Sequence, residues 1–226
     1  MQAVGNRKPD CSRLIRGGQT PAHAAVLACA GCLITWLALH VMAAHAQGTR
    51  EEAARLMNEL MSGKAPVGTP FTLTNPQGKR VSLADFRGKL VLLYFGYTTC
   101  PDVCPTDLAA MAQAVHSLGK DGAQIQPVFI TLDPERDTQA VLGDYAKAFH
   151  PRLVALRGSE AETRRIATAY KVYYEKNTPP NSKIYLIEHT AFTFLLDRNG
   201  KYLLFFPPGT PPGRMATMLR EQLAEK

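Results

Sequence analysis

The stretch Leu90-Val91-Leu92-Leu93-Tyr94-Phe95-Gly96-Tyr97-Thr98-Thr99-Cys100-Pro101-Asp102-Val103-Cys104-Pro105 decides the fold. Leu90–Phe95 is a continuous apolar run, the pattern of a strand buried on both faces. Directly after it, Thr106–Leu118 places Leu108, Met111, Val115 and Leu118 at helical spacing, with Gly119 as a stop. Pro105 therefore sits near the helix start, where a missing N–H costs nothing. Two cysteines in C-x-x-x-C spacing thus fall where a strand gives way to a helix. Unpaired N–H groups and the macrodipole stabilise a thiolate at such a helix end, so Cys104 in particular is expected to ionise more easily than a free cysteine. Two such sulfurs can bind a soft metal or form a disulfide, and the same pair serves a metal carrier, a thiol reductase or a peroxidase.

Downstream, Ile125–Leu132 reads as a strand, Asp137–Phe149 as a helix and Leu153–Leu156 as a short strand. Ser159-x-x-Glu162 is a capping box opening a helix that runs through Tyr170. Ala191–Leu196 and Tyr202–Phe206 form a hairpin around Asp197-Arg198-Asn199-Gly200, and Arg214–Ala224 is a closing helix. Upstream, Phe71–Leu73 and Arg80–Leu83 make a hairpin across Asn75-Pro76-Gln77-Gly78. The order β-β-β-α-β-α-β-α-β-β-α implies an α/β domain. Its central mixed sheet is flanked by helices on both faces and preceded by an N-terminal β-hairpin, with no internal repeat. Strand, cysteine pair, then helix is the thioredoxin-like arrangement.

The N-terminal segment has a different character. Ala24–Ala44 is almost wholly apolar and long enough for a bilayer helix of about 20 residues. Arg7, Lys8, Arg13 and Arg16, against Asp10 alone, put the N-terminus on the cytoplasmic side by charge bias. Ala44-His45-Ala46 also fits a signal-peptidase site, and both readings export the remainder of the chain. A lipid-attachment role for Cys29 or Cys32 is the weaker third reading, since the apolar run continues past both. The expected organisation is a cytoplasmic tail with a transmembrane anchor or signal segment over 1–47, a juxtamembrane helix and linker over 48–67, and the folded domain over 68–226. In the juxtamembrane helix, Met57 and Met61 are expected to form a packing stripe rather than a thioether metal site.

The formal net charge is +7 with a hydrophobic fraction of 46%, enough apolar material for a real core. Part of the positive charge belongs to the N-terminal tail. The rest is scattered, without an aromatic stripe, which argues against nucleic-acid binding.

Three motifs together closely resemble the Sco/SenC family, membrane-anchored thioredoxin-fold proteins that deliver copper to cytochrome c oxidase. They are Tyr97–Pro105, then Thr131-Leu132-Asp133-Pro134-Glu135-Arg136-Asp137-Thr138, and finally Glu188-His189-Thr190. The resemblance spans roughly residues 65–226. It implies Cys100, Cys104 and His189 as copper ligands and a role for Asp133 near that site. The chemistry agrees: soft thiolates select Cu(I), imidazole suits both copper oxidation states, and three ligands leave room for a recipient's ligand to attack. The spacing is one residue longer than the C-x-x-C of thioredoxins, and a plain dithiol reductase has no need of His189. The partners implied are the copper-bearing oxidase subunit and other copper chaperones or thiol oxidoreductases. The setting implied is a single-pass protein of the cell membrane with its C-terminal domain in the periplasm.

Other readings stay open at this stage. Cys100 and Cys104 can form a structural disulfide, although so short a loop constrains the unfolded chain little. The pair can also run thiol-disulfide exchange on an oxidase subunit or copper chaperone. His189 can be a partly buried structural histidine, and Asp133 can simply open a turn at Pro134. His116 and His150 are expected on the surface. A thiol peroxidase is disfavoured: aligning the Pro-x-x-x-Thr-x-x-Cys approach of peroxiredoxins on Cys100 puts Leu93 and Tyr97 at the required positions.

Overall fold

A computed structural model describes residues 51, 54–55, 57–62, 66–180 and 182–225. The apolar segment Ala24–Ala44 and the signal-peptidase pattern lie outside the described residues. Among the described residues no helix is long and apolar enough to cross a membrane.

Leu90–Gly96 forms strand β3, every residue of it buried, at the middle of a five-stranded sheet. The strands flanking it are β4 (Ile125–Thr131), β5 (Val154–Leu156), β8 (Thr193–Leu196) and β9 (Tyr202–Phe206), in the order β5-β4-β3-β8-β9. β3, β4 and β5 run parallel, whereas β8 pairs antiparallel with β3 and β9 antiparallel with β8. The mixed sheet expected from the sequence is thus present, together with its hairpin β1 (Thr72–Thr74) and β2 (Arg80–Ser82). In that hairpin the turn closes as Asn75 Oδ1 accepts from the backbone of Gln77 and Lys79 while Gly78 takes φ +77°.

Parallel neighbours need crossover connections, and the helices supply them. Helix α1 (Val103–Ser117) links β3 to β4, and α2 (Gln139–Phe149) links β4 to β5. Alternation along β3 sends Tyr94 and Phe95 to opposite faces. Tyr94 stacks beside Phe129, which meets Tyr145 of α2 at 5.5 Å between ring centroids. Phe95 meets Tyr170, at the end of α3 (Glu160–Ala169), at 5.4 Å. Helices therefore cover both faces. The Ser159–Glu162 capping box is formed as expected, and α4 (Pro212–Ala224) packs on α1, where Arg220 Nη2 donates to the Ser117 carbonyl.

Three expectations need correction. Helix α1 begins at Val103, not Thr106, so Pro105 lies inside its first turn. First-turn N–H groups have no intrahelical acceptor, and a proline there does not mark the boundary. Met57 and Met61 are exposed, while Leu60 between them is buried and its carbonyl accepts from Tyr202 Oη at 2.8 Å. The helical segment 57–61 thus turns Leu60 to the core and its methionines to solvent. Finally, residues 171–190, left without assignment by periodicity, hold a separate antiparallel pair, β6 (Tyr174–Asn177) and β7 (Leu186–His189). His189 ends that strand rather than merely preceding β8.

Candidate metal centre

The three residues singled out by motif meet in space. The Cys100, Cys104 and His189 donor atoms all lie within 4.8 Å of one another, and Cys104 Sγ is 3.3 Å from His189 Nε2. Each comes from a different local device. Cys100 closes the loop after β3, its N–H donating to the Tyr97 carbonyl at 3.3 Å. Cys104 sits in the first turn of α1 and is fully buried. His189 is half-buried at the end of β7, and its Nδ1 lies 3.2 Å from the Thr190 carbonyl. A proton on Nδ1 donates to that carbonyl and leaves the Nε2 lone pair facing the sulfurs, the orientation in which an imidazole serves as a metal ligand. The rings of Tyr94 and Tyr97 meet the imidazole edge-on at 6.4 and 6.1 Å.

Gly96 makes room for this packing. A Cβ there would stand 2.9 Å from Cys104 Sγ and 3.0 Å from the Tyr94 ring, closer than side-chain carbons approach. Beneath Cys104, buried Asp107 accepts from the Gly209 N–H at 2.8 Å and from Tyr94 Oη at 3.4 Å, and burial pushes its carboxyl pKa up. Burial likewise raises the Tyr94 phenol, so it stays neutral.

The two thiols divide the charge in the opposite sense from the sequence expectation. Cys100, not Cys104, is the ionised member. The neighbouring Cys104 thiol favours its anionic form most, and His189 and the N–H groups of Asp102 and Cys104 add to that. Together they outweigh desolvation and bring the Cys100 pKa down to about 3. Cys104 is pushed up by that same interaction with Cys100 and by burial. The positive helix end acts on the sulfur placed before it, because the first-turn N–H groups point back along the chain. No acidic residue occupies that first turn to compete for them. Cys100 and Cys104 are both free thiols, so the structural-disulfide reading does not describe this state.

Asp133 is fully buried but bonds none of the three ligands. Its carboxylate pairs with Arg136 Nε and accepts from Tyr185 Oη at 2.9 Å, and its backbone carbonyl accepts from Asp137 N–H within the turn that Pro134 enters. The neighbouring carboxylate, Asp137, carries a role that sequence reasoning did not assign. It accepts from the Thr98 N–H at 3.1 Å, from Thr98 Oγ1 at 2.6 Å and from Thr131 Oγ1 at 2.5 Å. The motif after β4 thus braces the cysteine loop through Asp137 and the His189 hairpin through Asp133. The one available signal was the motif itself, since these partners lie far apart in the chain. His116 is exposed and His150 half-buried, its Nδ1 accepting from Arg152 N–H at 3.0 Å, and neither joins the centre.

Comparisons with known proteins agree with this arrangement. A family model described as SCO1/SenC matches residues 59–224. A SCO2-like protein of Rickettsia felis is 39% identical over 155 residues, covering 68% of this chain and 76% of that protein. The structure superposes on Arabidopsis thaliana ScoI with copper bound at a TM-score of 0.66 and 34% identity, covering 71% of this chain and 99% of that one. It also matches Bradyrhizobium japonicum ScoI with copper bound at a TM-score of 0.64 and 39% identity, covering 69% and 99%. With the family model spanning nearly the whole described domain, the chain belongs to the SCO1/SenC family.

Proposed function

We propose that this protein is a copper metallochaperone, anchored by its N-terminal segment with the folded domain in the periplasm, that delivers copper to the binuclear centre of cytochrome c oxidase. The observation that carries this reading is the convergence of two sulfurs and one imidazole nitrogen within 4.8 Å. Copper bound in the Arabidopsis and Bradyrhizobium relatives supports the choice of metal. Copper is the cargo. Two thiolates hold Cu(I), the imidazole adds affinity for Cu(II), and a three-coordinate site leaves one approach open to an incoming ligand. Ionised Cys100 is ready to bind at neutral pH without losing a proton, whereas Cys104 must release its own to the solvent or to an acceptor on binding.

The test is the copper content of the oxidase in cells lacking this chain. Reintroducing the wild-type protein is expected to restore it, and C100S, C104S and H189A are expected to fail. Normal oxidase copper in the deletion strain defeats the delivery role.

A second reading rests on the adjacent free thiols and the low Cys100 pKa: the pair can act as a thiol-disulfide oxidoreductase on the cysteines of a copper-accepting partner. It needs the cysteines but not His189, so restoration of oxidase copper by H189A would favour it.

A further inference from the structure

The strand that delivers His189 is poorly held by its own backbone. Among the described residues β7 pairs only with β6, and this two-stranded sheet shares no ladder with the five-stranded one. Isolated two-stranded pairs are marginal in water. Tyr174 and Ile187 are the only buried members of the two strands, and Leu186, Glu188 and all of Glu175–Asn177 are exposed. Something outside the hairpin must set the position of its last residue.

Arg136 occupies the right place. Its Nη1 donates to the Tyr185 carbonyl at 2.8 Å, one residue before β7 begins. Its guanidinium lies over the Tyr185 ring at 3.7 Å from the centroid. It also stands 5.7 Å from the centroid of Tyr97, whose ring meets His189 edge-on and whose carbonyl takes the Cys100 N–H. Its Nε pairs with fully buried Asp133, which also takes the Tyr185 hydroxyl. Nη2 is buried without a hydrogen-bond partner among the described residues, so the two aromatic rings are what compensate the charge there.

We propose that Arg136 is the positioning residue for the third ligand: clasped by Asp133, it clamps Tyr185 and Tyr97 together and so docks the His189 hairpin against the thiol loop. Only a planar guanidinium can stack on Tyr185 while donating in two directions, to Asp133 and to the Tyr185 carbonyl. Lys176, bonded to exposed Glu135 and standing 4.9 Å from the centroid of the Tyr185 ring, adds a solvent-screened contact of lesser weight. The consequence separates the two oxidation states. Cu(I) can be held by the two thiolates, neither of which Arg136 touches, while Cu(II) needs the imidazole in register.

The clamp rests on the proposed copper site, and the test reads the two apart. In the metal-free full-length protein, R136Q is expected to speed amide exchange over Leu186–His189 while leaving β3 protected. In the same variant, Cu(II) affinity is expected to fall by about 10- to 100-fold, the range typical when an outer-shell partner is lost. The thiolate-to-Cu(II) absorption should move toward that of H189A, and Cu(I) affinity should stay within a few-fold. R136K, which keeps the charge but not the plane, is expected not to restore the Cu(II) signal. Unchanged hairpin exchange and unchanged Cu(II) binding in R136Q overturn the clamp. If the wild type itself takes up no Cu(II), the copper reading falls and the exchange result alone decides the clamp. If R136Q also loses protection in β3, Y185A removes the same stack from the hairpin side and is judged by the same exchange.

Discussion

Cys104 Sγ and His189 Nε2 lie 3.3 Å apart although the two residues are separated by 85 positions, one in the first turn of helix α1 and the other at the end of strand β7. That contact exists because the first turn of α1 and the end of β7 meet over the Tyr94 and Tyr97 rings. A thiol and an imidazole this close become a pair of ligands once a metal displaces the thiol's proton.

The first prediction follows from unequal ligand softness. H189A is expected to retain Cu(I) on its two thiolates and to lose most Cu(II) binding, because the harder oxidation state depends more on nitrogen. Competition titrations of both ions against chelators of known affinity would measure this. Equal losses for the two ions would remove His189 from the ligand set.

Cys100 is expected to react with alkylating reagents before Cys104 at neutral pH, with one thiolate per chain in the metal-free protein. Its depressed pKa stabilises the fold fully above the ordinary thiol pKa, and this contribution fades as pH falls toward about 3. Cys104 works in the other sense, its raised pKa adding stability below the ordinary thiol pKa. C104A removes the leading stabiliser of the Cys100 anion, so the Cys100 pKa should rise, seen in the pH dependence of thiolate absorbance and labelling rate. Preferential labelling of Cys104 would reverse the assignment.

Much of this was legible in the sequence, for identifiable reasons. Leu90–Phe95 could only be a doubly buried strand, and Ser159 with Glu162 announced a helix start through a local bond. The three ligands were legible because soft-metal chemistry demands those residue types and the motifs display them. The β6–β7 hairpin was not legible, since Glu175, Lys176 and Asn177 show no alternation and its hold on the domain comes from Arg136 and Tyr185, 49 residues apart. Nor was the identity of the ionised thiol. It depends on which sulfur lies ahead of the first-turn N–H groups and which beneath the helix, and that follows from α1 starting at Val103.

Asp137 should be a stability determinant of the cysteine loop. D137A would leave the Thr98 N–H and the Thr98 and Thr131 hydroxyls without their acceptor, at a cost of about 1–3 kcal/mol for an unsatisfied buried group. Burial raises the Asp137 pKa despite those three donors, so its contribution is greatest below the ordinary carboxyl range and declines as pH rises through the raised value. The gap between wild type and D137A in urea unfolding should therefore narrow with rising pH across the acidic range. A gap that widens instead would mean the hydrogen bonds outweigh desolvation.

Gly96 offers the sharpest steric test of the centre. It adopts an ordinary strand conformation, so an alanine there meets no backbone strain and all of its effect is contact. The added Cβ would press on Cys104 Sγ at 2.9 Å, on Tyr94 at 3.0 Å and on Phe129 at 3.2 Å. The two rings and Cys104 are all fully buried, and the sulfur makes the shortest of the three approaches. The sulfur is therefore the atom that moves, away from β3 and out of register with Cys100 and His189. G96A is expected to lose about 1–3 kcal/mol of stability from overpacking and to weaken Cu(I) and Cu(II) binding together, unlike H189A or R136Q, which spare Cu(I). Thermal unfolding and Cu(I) competition on the same preparation would measure both effects. A G96A protein with reduced stability but wild-type Cu(I) affinity would show that the rings, and not Cys104, absorb the extra methyl group.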